Sequence, residues 1–511
     1  MKEVVKKAAR QATRPLLLKT PSKWSSPTLA FRTVTSKSGM GVYASSDHLF
    51  KGAVFGRDSL EVAEDLMYVK PKLVETILLT LASLQGEEDN ELNEEEPGKI
   101  VHEYRTTIVD GRALDPTSRE IFDRLAARWG GSDTTLAYYG SVDSTPHYVR
   151  VLSKYCQIYG TDILLKRVKL RSGYEVSVLD TLENAMEWLQ RHLKNSKSGL
   201  VEYLRRNPHG IENQVWKDSV EFYVHENGEL VNHNAPIASI EVQGLAYDAF
   251  KLASILLPSR AKEWKKQAER LRDRTIKLLW NEERQYFALG TDFDSRGKLR
   301  VINTKAANAA ALLDSTFFND LFDDKKIQYV SAIVRTITGD DFLTDAGIRS
   351  RALSEAKLVK FWDYHGSYVS WPKETYDIAK GLYKQGFPRL SAELENRIVN
   401  VVRAMRAYPE FLYVDGRGRV LGVSQSSHGH GEILFVEGPN QPERIQAWTV
   451  SAVLAITSKA KWIKKPLRVT TLPWQRDLEK ELLITTPHAE PLKSEKELTA
   501  RYPAYPYKLK K

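Results

Sequence analysis

The strongest constraint on this chain is the period of its apolar residues. Such residues recur three and four apart in LVETILLTLASLQ from Leu73, TLENAMEWLQRHL from Thr181 and IEVQGLAYDAFKLASILL from Ile240. The same spacing returns in RAKEWKKQAERLRDRTIKLLW from Arg260, KETYDIAKGLYKQG from Lys373, RLSAELENRIVNVVRAMRAY from Arg389 and RIQAWTVSAVLAITS from Arg444. This is the spacing of one face of an α-helix. The segments come in pairs with short breaks, as at Pro258, and alternation of period two is confined to runs such as LRVIN at Leu299. Paired helices stack into a solenoid or close into a ring. A solenoid repeats its sequence at a fixed period, and this chain shows no such repeat.

With 511 residues, 42% of them hydrophobic, the chain can bury a large core. Its one cysteine, Cys156, lies on the helical pattern YVRVLSKYCQIYG and reads as a buried, inert thiol. An intrachain disulfide and a cysteine-built zinc site are excluded, and the low count fits a reducing, cytoplasmic setting. There is no apolar run long enough to span a membrane. The net charge of +10 sits in the ends: residues 1–39 carry +8 and residues 459–511 carry +7, which leaves −5 to residues 40–458. We therefore expect a flexible basic arm over 1–40, a catalytic body over 41–460, and a basic Pro-rich tail over 461–511. The ends suit contact with an anionic surface or partner. No nucleic-acid-binding motif accompanies them.

The junctions between the helical segments are rich in polar and aromatic residues, and loops on a rigid scaffold commonly carry function. Cleaving a glycosidic bond takes two carboxyl groups, one to protonate the leaving oxygen and one to act on water or carbon. In NQVWKDS, Asp218 is the candidate acid. The Trp216 ring would exclude water and raise its pKa, while Lys217 must point away from Asp218 for that to hold. Capping of the following segment is the competing reading of Asp218. In YPEFLY, Glu410 is the candidate base, against the plain reading of a solvent-facing Glu after a helix. Arg57 and Asp58 of FGRDS, and Tyr139 and Asp143 of YYGSVDSTP, either line a pocket or cap helices. His365 and Trp371 of YHGSYVSWP suggest a sugar contact and a stacking floor. The pair His428 and His430 in HGHGE lacks further ligands at a familiar spacing, so no metal and no cofactor are expected. Walker, GxGxxG and GxSxG motifs are absent.

These junctions, in order, resemble the amylo-α-1,6-glucosidase type of glycogen-debranching enzyme, a six-hairpin glycosidase. The matching pieces are FGRDS at Phe55, GKIVHEYR at Gly98, YYGSVDSTP at Tyr138, NQVWKDS at Asn213 and PIASIEVQGLAYDA at Pro236. DAGIRS at Asp345, YHGSYVSWP at Tyr364, YPEFLY at Tyr408 and IQAWTVSAVLA at Ile445 follow. The resemblance covers roughly residues 40–460. It implies an all-α (α/α)6 barrel with short irregular strands in its connecting loops, and inverting hydrolysis of α-1,6 branches or related α-glucosides, with an α-glucan as substrate. It implies Asp218 as general acid and Glu410 as general base. Arg57, Asp58, Tyr139, Asp143, Trp216, Lys217, Glu241, Gln243, His365 and Trp371 become substrate-binding positions, with His102 and Glu103 as further pocket-lining ones. The stretch after Glu410 is longer than the resemblance implies and carries Glu432 and Glu437 as alternative bases. The fold also serves trehalases and mannosylglycerate or glucosylglycerate hydrolases, and a non-catalytic glycan-binding protein on the same fold is a further alternative.

Overall fold

The computed structural model describes residues 26–46, 48–421, 442–458 and 471–486. Glu432, Glu437 and the HGHGE motif lie outside the described residues. Six helical segments form a closed inner ring: α2 (Gly56–Asp65), α5 (Ser144–Tyr159), α7 (Ile240–Leu256), a 3-10 segment Ala307–Leu313, α10 (Pro372–Lys384) and α12 (Ala447–Thr457). Each contacts the next, and α12 contacts α2. An outer helix backs each one: α3 (Pro71–Ser83) on α2, α6 (Val178–Asn195) on α5, and α8 (Ala261–Leu279) on α7. α9 (Asp323–Thr338) backs the 3-10 segment, α11 (Pro388–Met405) backs α10, and α1 (Pro27–Val34) backs α12. Among the described residues, two helices stand outside this scheme. α4 (Pro116–Trp129) packs on a junction strand, and α13 (Pro473–Thr485) packs on α9 and α11.

The two layers follow from sequence. In α8 the buried residues Trp264, Ala268, Leu271, Thr275 and Leu279 recur every three or four positions, and charged residues fill the rest. That is a helix with one wet face. In α12 every residue from Ala447 to Leu454 is buried, as an inner helix requires. Ends are set locally. Pro opens α1, α3, α4, α10, α11 and α13, a position where its missing N–H costs nothing. Ser177 and Asp180 close a capping box on α6, at 3.1 and 2.7 Å.

The expected arm over 1–40 contains α1, whose Ala30, Phe31 and Val34 are buried in the main core. It is the outer wall of the sixth hairpin. Chain ends meet there: Ala447 N donates to Ala44 O at 2.8 Å and Ser46 N to Ile445 O at 3.2 Å. In the C-terminal tail, α13 packs on the barrel. Cys156 is buried and free, and burial pushes its thiol up to about 12. No described helix is long and apolar enough to cross a membrane.

Short strands precede inner helices and fix where they start. Val54–Phe55 pairs with Glu103–Thr106, which pairs with Thr135–Tyr138. Ala238–Ser239 leads into α7, and Val369–Ser370 pairs with Leu412–Tyr413 ahead of α10. Tyr408 bridges Ile445 ahead of α12. The N-terminal turns of the inner helices thereby gather at one end of the ring.

Candidate active site

The gathered turns carry polar side chains that would be costly to bury unpaired. Arg57, in the first turn of α2, donates to Asp143 through Nε at 2.8 Å and Nη2 at 3.2 Å. Asp143 occupies the N-cap position of α5 but makes no cap hydrogen bond; it serves Arg57 instead. Asp58 accepts from Gln446 Nε2 at 3.0 Å, and burial raises its carboxyl to about 7. The capping alternatives for Asp58 and Asp143 are thus not what their side chains do. Glu241, in the first turn of α7, accepts from Ser239 Oγ and from Tyr223 OH at 3.4 Å. Burial raises its carboxyl as well.

Asp218 lies on an irregular segment, half-buried. It accepts from Tyr364 OH at 2.7 Å. Burial pushes its carboxyl up to about 6, and the Arg57 charge and the Tyr364 bond hold it from rising further. Glu410 is buried on the opposite junction. Its own N–H donates to Glu443 O at 2.9 Å, and the Glu443 N–H donates to its Oε2 at 3.1 Å. Burial, with the charges of Asp58 and Asp218, pushes it up to about 8. The Asp218 and Glu410 charges both raise Tyr364, so one hydroxyl senses both carboxylates.

The walls are aromatic. Trp216 meets Trp371, His365 and Trp448 edge-on at 5.0, 5.1 and 6.3 Å between ring centroids. The Lys373 ammonium sits 4.7 Å from the Trp216 ring. Trp371 is buried, stacked on His365 at 5.0 Å, and its Nε1 donates to Tyr364 O at 2.7 Å. It supports the wall and is not itself a floor. His365 is buried and held neutral by burial, with neither ring nitrogen bonded.

Two cavities meet this wall. The inner one, within the ring, is lined by Arg57, Asp143, Trp216, Glu241, Asn308 and Glu374 among others. The outer one is lined by Asp218, Ser219, Trp362 and Tyr364 and reaches the exposed Val220 and Lys360. The Trp216–Asp218 segment separates them, with the indole inward and the acid outward.

Three expected binding residues are engaged elsewhere. Lys217 is fully buried, paired with Glu374 at 2.6 Å and donating to Ser350 O at 3.0 Å. Its ammonium is turned to Glu374 rather than to Asp218; burial drives an ammonium to the nearest carboxylate. Gln243 spends its amide on Val201 N, Val201 O and Ser239 O. Tyr139 is core, its hydroxyl donating to Leu84 O at 2.8 Å. His102 lies edge-on between Phe55 and Tyr138, and Glu103 pairs with Arg105. Conversely, Tyr364, Gln446, Trp448 and Glu443 reach the site without having been singled out. They sit inside or beside the quoted motifs, and only the closed ring brings them to the carboxylates. Deeper in the ring, Glu61, Glu64 and His147 lie close enough to share a cation. Arg150 at 3.0 Å, Lys154, and Lys373 at 2.8 Å already neutralise these carboxylates.

A closed ring of six helical pairs with a carboxylate-bearing pocket at the inner N-termini is an (α/α)6 barrel. Residues 227–411 match the sequence profile of the trehalase family. The GH63 mannosylglycerate hydrolase of Thermus thermophilus, bound to Tris, is similar in structure. It is 14% identical, the match covers 84% of this chain and 98% of that one, and the TM-score is 0.52. An uncharacterised conserved protein of Thermus thermophilus matches at 12% identity, 86% and 99% coverage and TM-score 0.52. A protein described as a wild-type glycosidase matches at 10% identity, 84% and 94% coverage and TM-score 0.50. No curated protein matches by sequence.

Proposed function

We propose that the protein is an inverting α-glycosidase in which Asp218 protonates the glycosidic oxygen and Glu410 takes a proton from the attacking water. The observation that carries this reading is the pair itself. Two carboxyl groups, on separate junctions, are raised by burial beside one aromatic cluster, and the charge of Asp218 raises Glu410. Inverting hydrolysis needs one proton on such a pair, held by the acid, and an ionised base. The Tyr364 hydroxyl holds the Asp218 carboxyl, and the Glu443 N–H orients Glu410. Gln446 Oε1 and Trp448 Nε1 are buried without a protein partner. With Asp58 they offer an acceptor, a donor and a carboxylate to the hydroxyls of one sugar ring. Trp216 and its neighbours exclude bulk water, which strengthens these bonds.

The substrate reading is release of glucose from α-1,6 branches or related α-glucosides, supported by the ordered junction motifs. A second reading, a small α-glycoside such as trehalose or a glycosylglycerate, is supported by the trehalase profile over residues 227–411 and by the mannosylglycerate hydrolase fold match. A panel of isomaltose, panose, limit dextrin, maltose, trehalose, glucosylglycerate and mannosylglycerate decides. Turnover of the α-1,6 members supports the first reading. Turnover confined to trehalose or a glycosylglycerate moves the assignment to the second. Binding with no turnover of any member points to a glycan-binding protein.

A further inference from the structure

The outer cavity touches the proton-bearing face of Asp218, so on the reading above it is where the leaving group departs. Its lining is unequal in charge. Glu212, Asp218, Glu221 and Asp363 contribute carboxyl groups, and Lys360 is the one cation among the described lining residues. Lys360 is already paired with Glu221. Behind the rim, Arg205 pairs with Glu212 at 3.0 Å. Arg351 contacts Glu355 at 3.3 Å and the Phe222 carbonyl. Arg57 is held bidentate by Asp143 on the inner side. A carboxylate entering this cavity would lose water, face Glu212 and Glu221, and find each of these cations engaged. A neutral polyol meets no such opposition. Its hydroxyls can donate to the rim carboxylates, and the half-buried rings of Trp362 and Tyr364 offer apolar faces to its carbons.

We propose that this cavity is the leaving-group subsite and that it selects a neutral, polyhydroxylated leaving group over one that carries a carboxylate. Glu212 and Glu221 set that preference, and Trp362 supplies contact area. The proposal rests on the hydrolase reading and extends it to one class of substrate.

The test uses matched α-glucosides and α-mannosides of glycerol and D-glycerate, which differ in the leaving group by one CH2OH against one carboxylate. With the full chain at pH 7 and low salt, kcat/KM for the glycerol member should exceed that for the glycerate member at least about tenfold, and salt should narrow the ratio. Glu221→Gln removes a rim charge and releases Lys360, so it should shift the ratio of kcat/KM towards the glycerate glycoside by at least about fivefold. Equal turnover, a preference for glycerate, or no response to Glu221→Gln overturns the proposal. Calorimetry of the Asp218→Asn protein with the same four compounds separates the two claims. Preferential binding of the glycerol glycosides, with no turnover by the wild type, contradicts the hydrolase reading and upholds the selectivity. Neither binding nor turnover of any member overturns both.

Discussion

Between about pH 6 and 8, Asp218 and Glu410 together are poised to hold a single proton. Their order places that proton mainly on Glu410, whereas the reaction needs it on Asp218, so the reactive form is the minor one of the two singly protonated forms. The kcat/KM profile should therefore be bell-shaped with limbs near these two values. Tyr364 donates to the ionised form of Asp218 and so favours it. Tyr364→Phe removes that donor, and the acidic limb near 6 should move up by about half a unit to one unit. An unmoved limb would show that Tyr364 does not govern the acid. At this scale the sequence spoke unevenly. Trp216 beside Asp218 was legible because a ring next to an acid in a turn-rich segment has few structural uses. Lys217, Gln243 and Tyr139 were not, because whether a polar group faces a ligand or a buried partner depends on side chains more than 40 residues away. Glu374 and Ser350 claim Lys217, Val201 claims Gln243, and Leu84 claims Tyr139.

The start of α2 shows how an element aims a site. Gly56 N donates to His102 O at 2.9 Å, and a Cβ at Gly56 would stand 2.0 Å from the Val101 carbonyl oxygen. Only glycine lets the helix begin there, which places Arg57 and Asp58 at the pocket. Gly56→Ala should cost about 2–3 kcal/mol in urea unfolding and lower kcat/KM at least about tenfold; unchanged values would remove this account of the motif. α1 is the opposite case. It has eight residues, between Ser and Thr clusters, and its local pattern is too short to announce a helix. Its stability comes from packing on α12. Phe31 is 3% exposed, so Phe31→Ala should lower the unfolding free energy by about 3–5 kcal/mol. A loss under about 1 kcal/mol would mean that α1 does not close the ring. The 3-10 segment Ala307–Leu313 was likewise hidden in sequence, since one short apolar run carries no period.

For the molecule as a whole, the paired helical period and the ordered junctions made the barrel legible, because each inner and outer layer leaves its own pattern of burial. The contacts that close the ring were not legible, since they join residues some 400 apart, as Ser46 to Ile445. The same architecture sets a balance between stability and chemistry. Glu410 lies at about 8 in the folded chain, against about 4.3 for an unfolded Glu. Between those values the native state holds more protons than the unfolded state, so stability falls as pH rises through this window, by at most roughly 1.4 kcal/mol per unit from this group. Glu410→Gln removes the charge. Its melting temperature should match the wild type near pH 4.5 and exceed it by several degrees at pH 8, while turnover is lost. A variant no more stable at pH 8 would contradict the burial of this carboxyl. The most direct test of the central claim is the configuration of the first product. Proton NMR should follow hydrolysis of whichever α-glycoside of the panel is turned over, with Asp218→Asn alongside. The account predicts the β-anomer first, with turnover in Asp218→Asn reduced at least about a thousandfold. An α-anomer as first product, or near-normal turnover in Asp218→Asn, would contradict it.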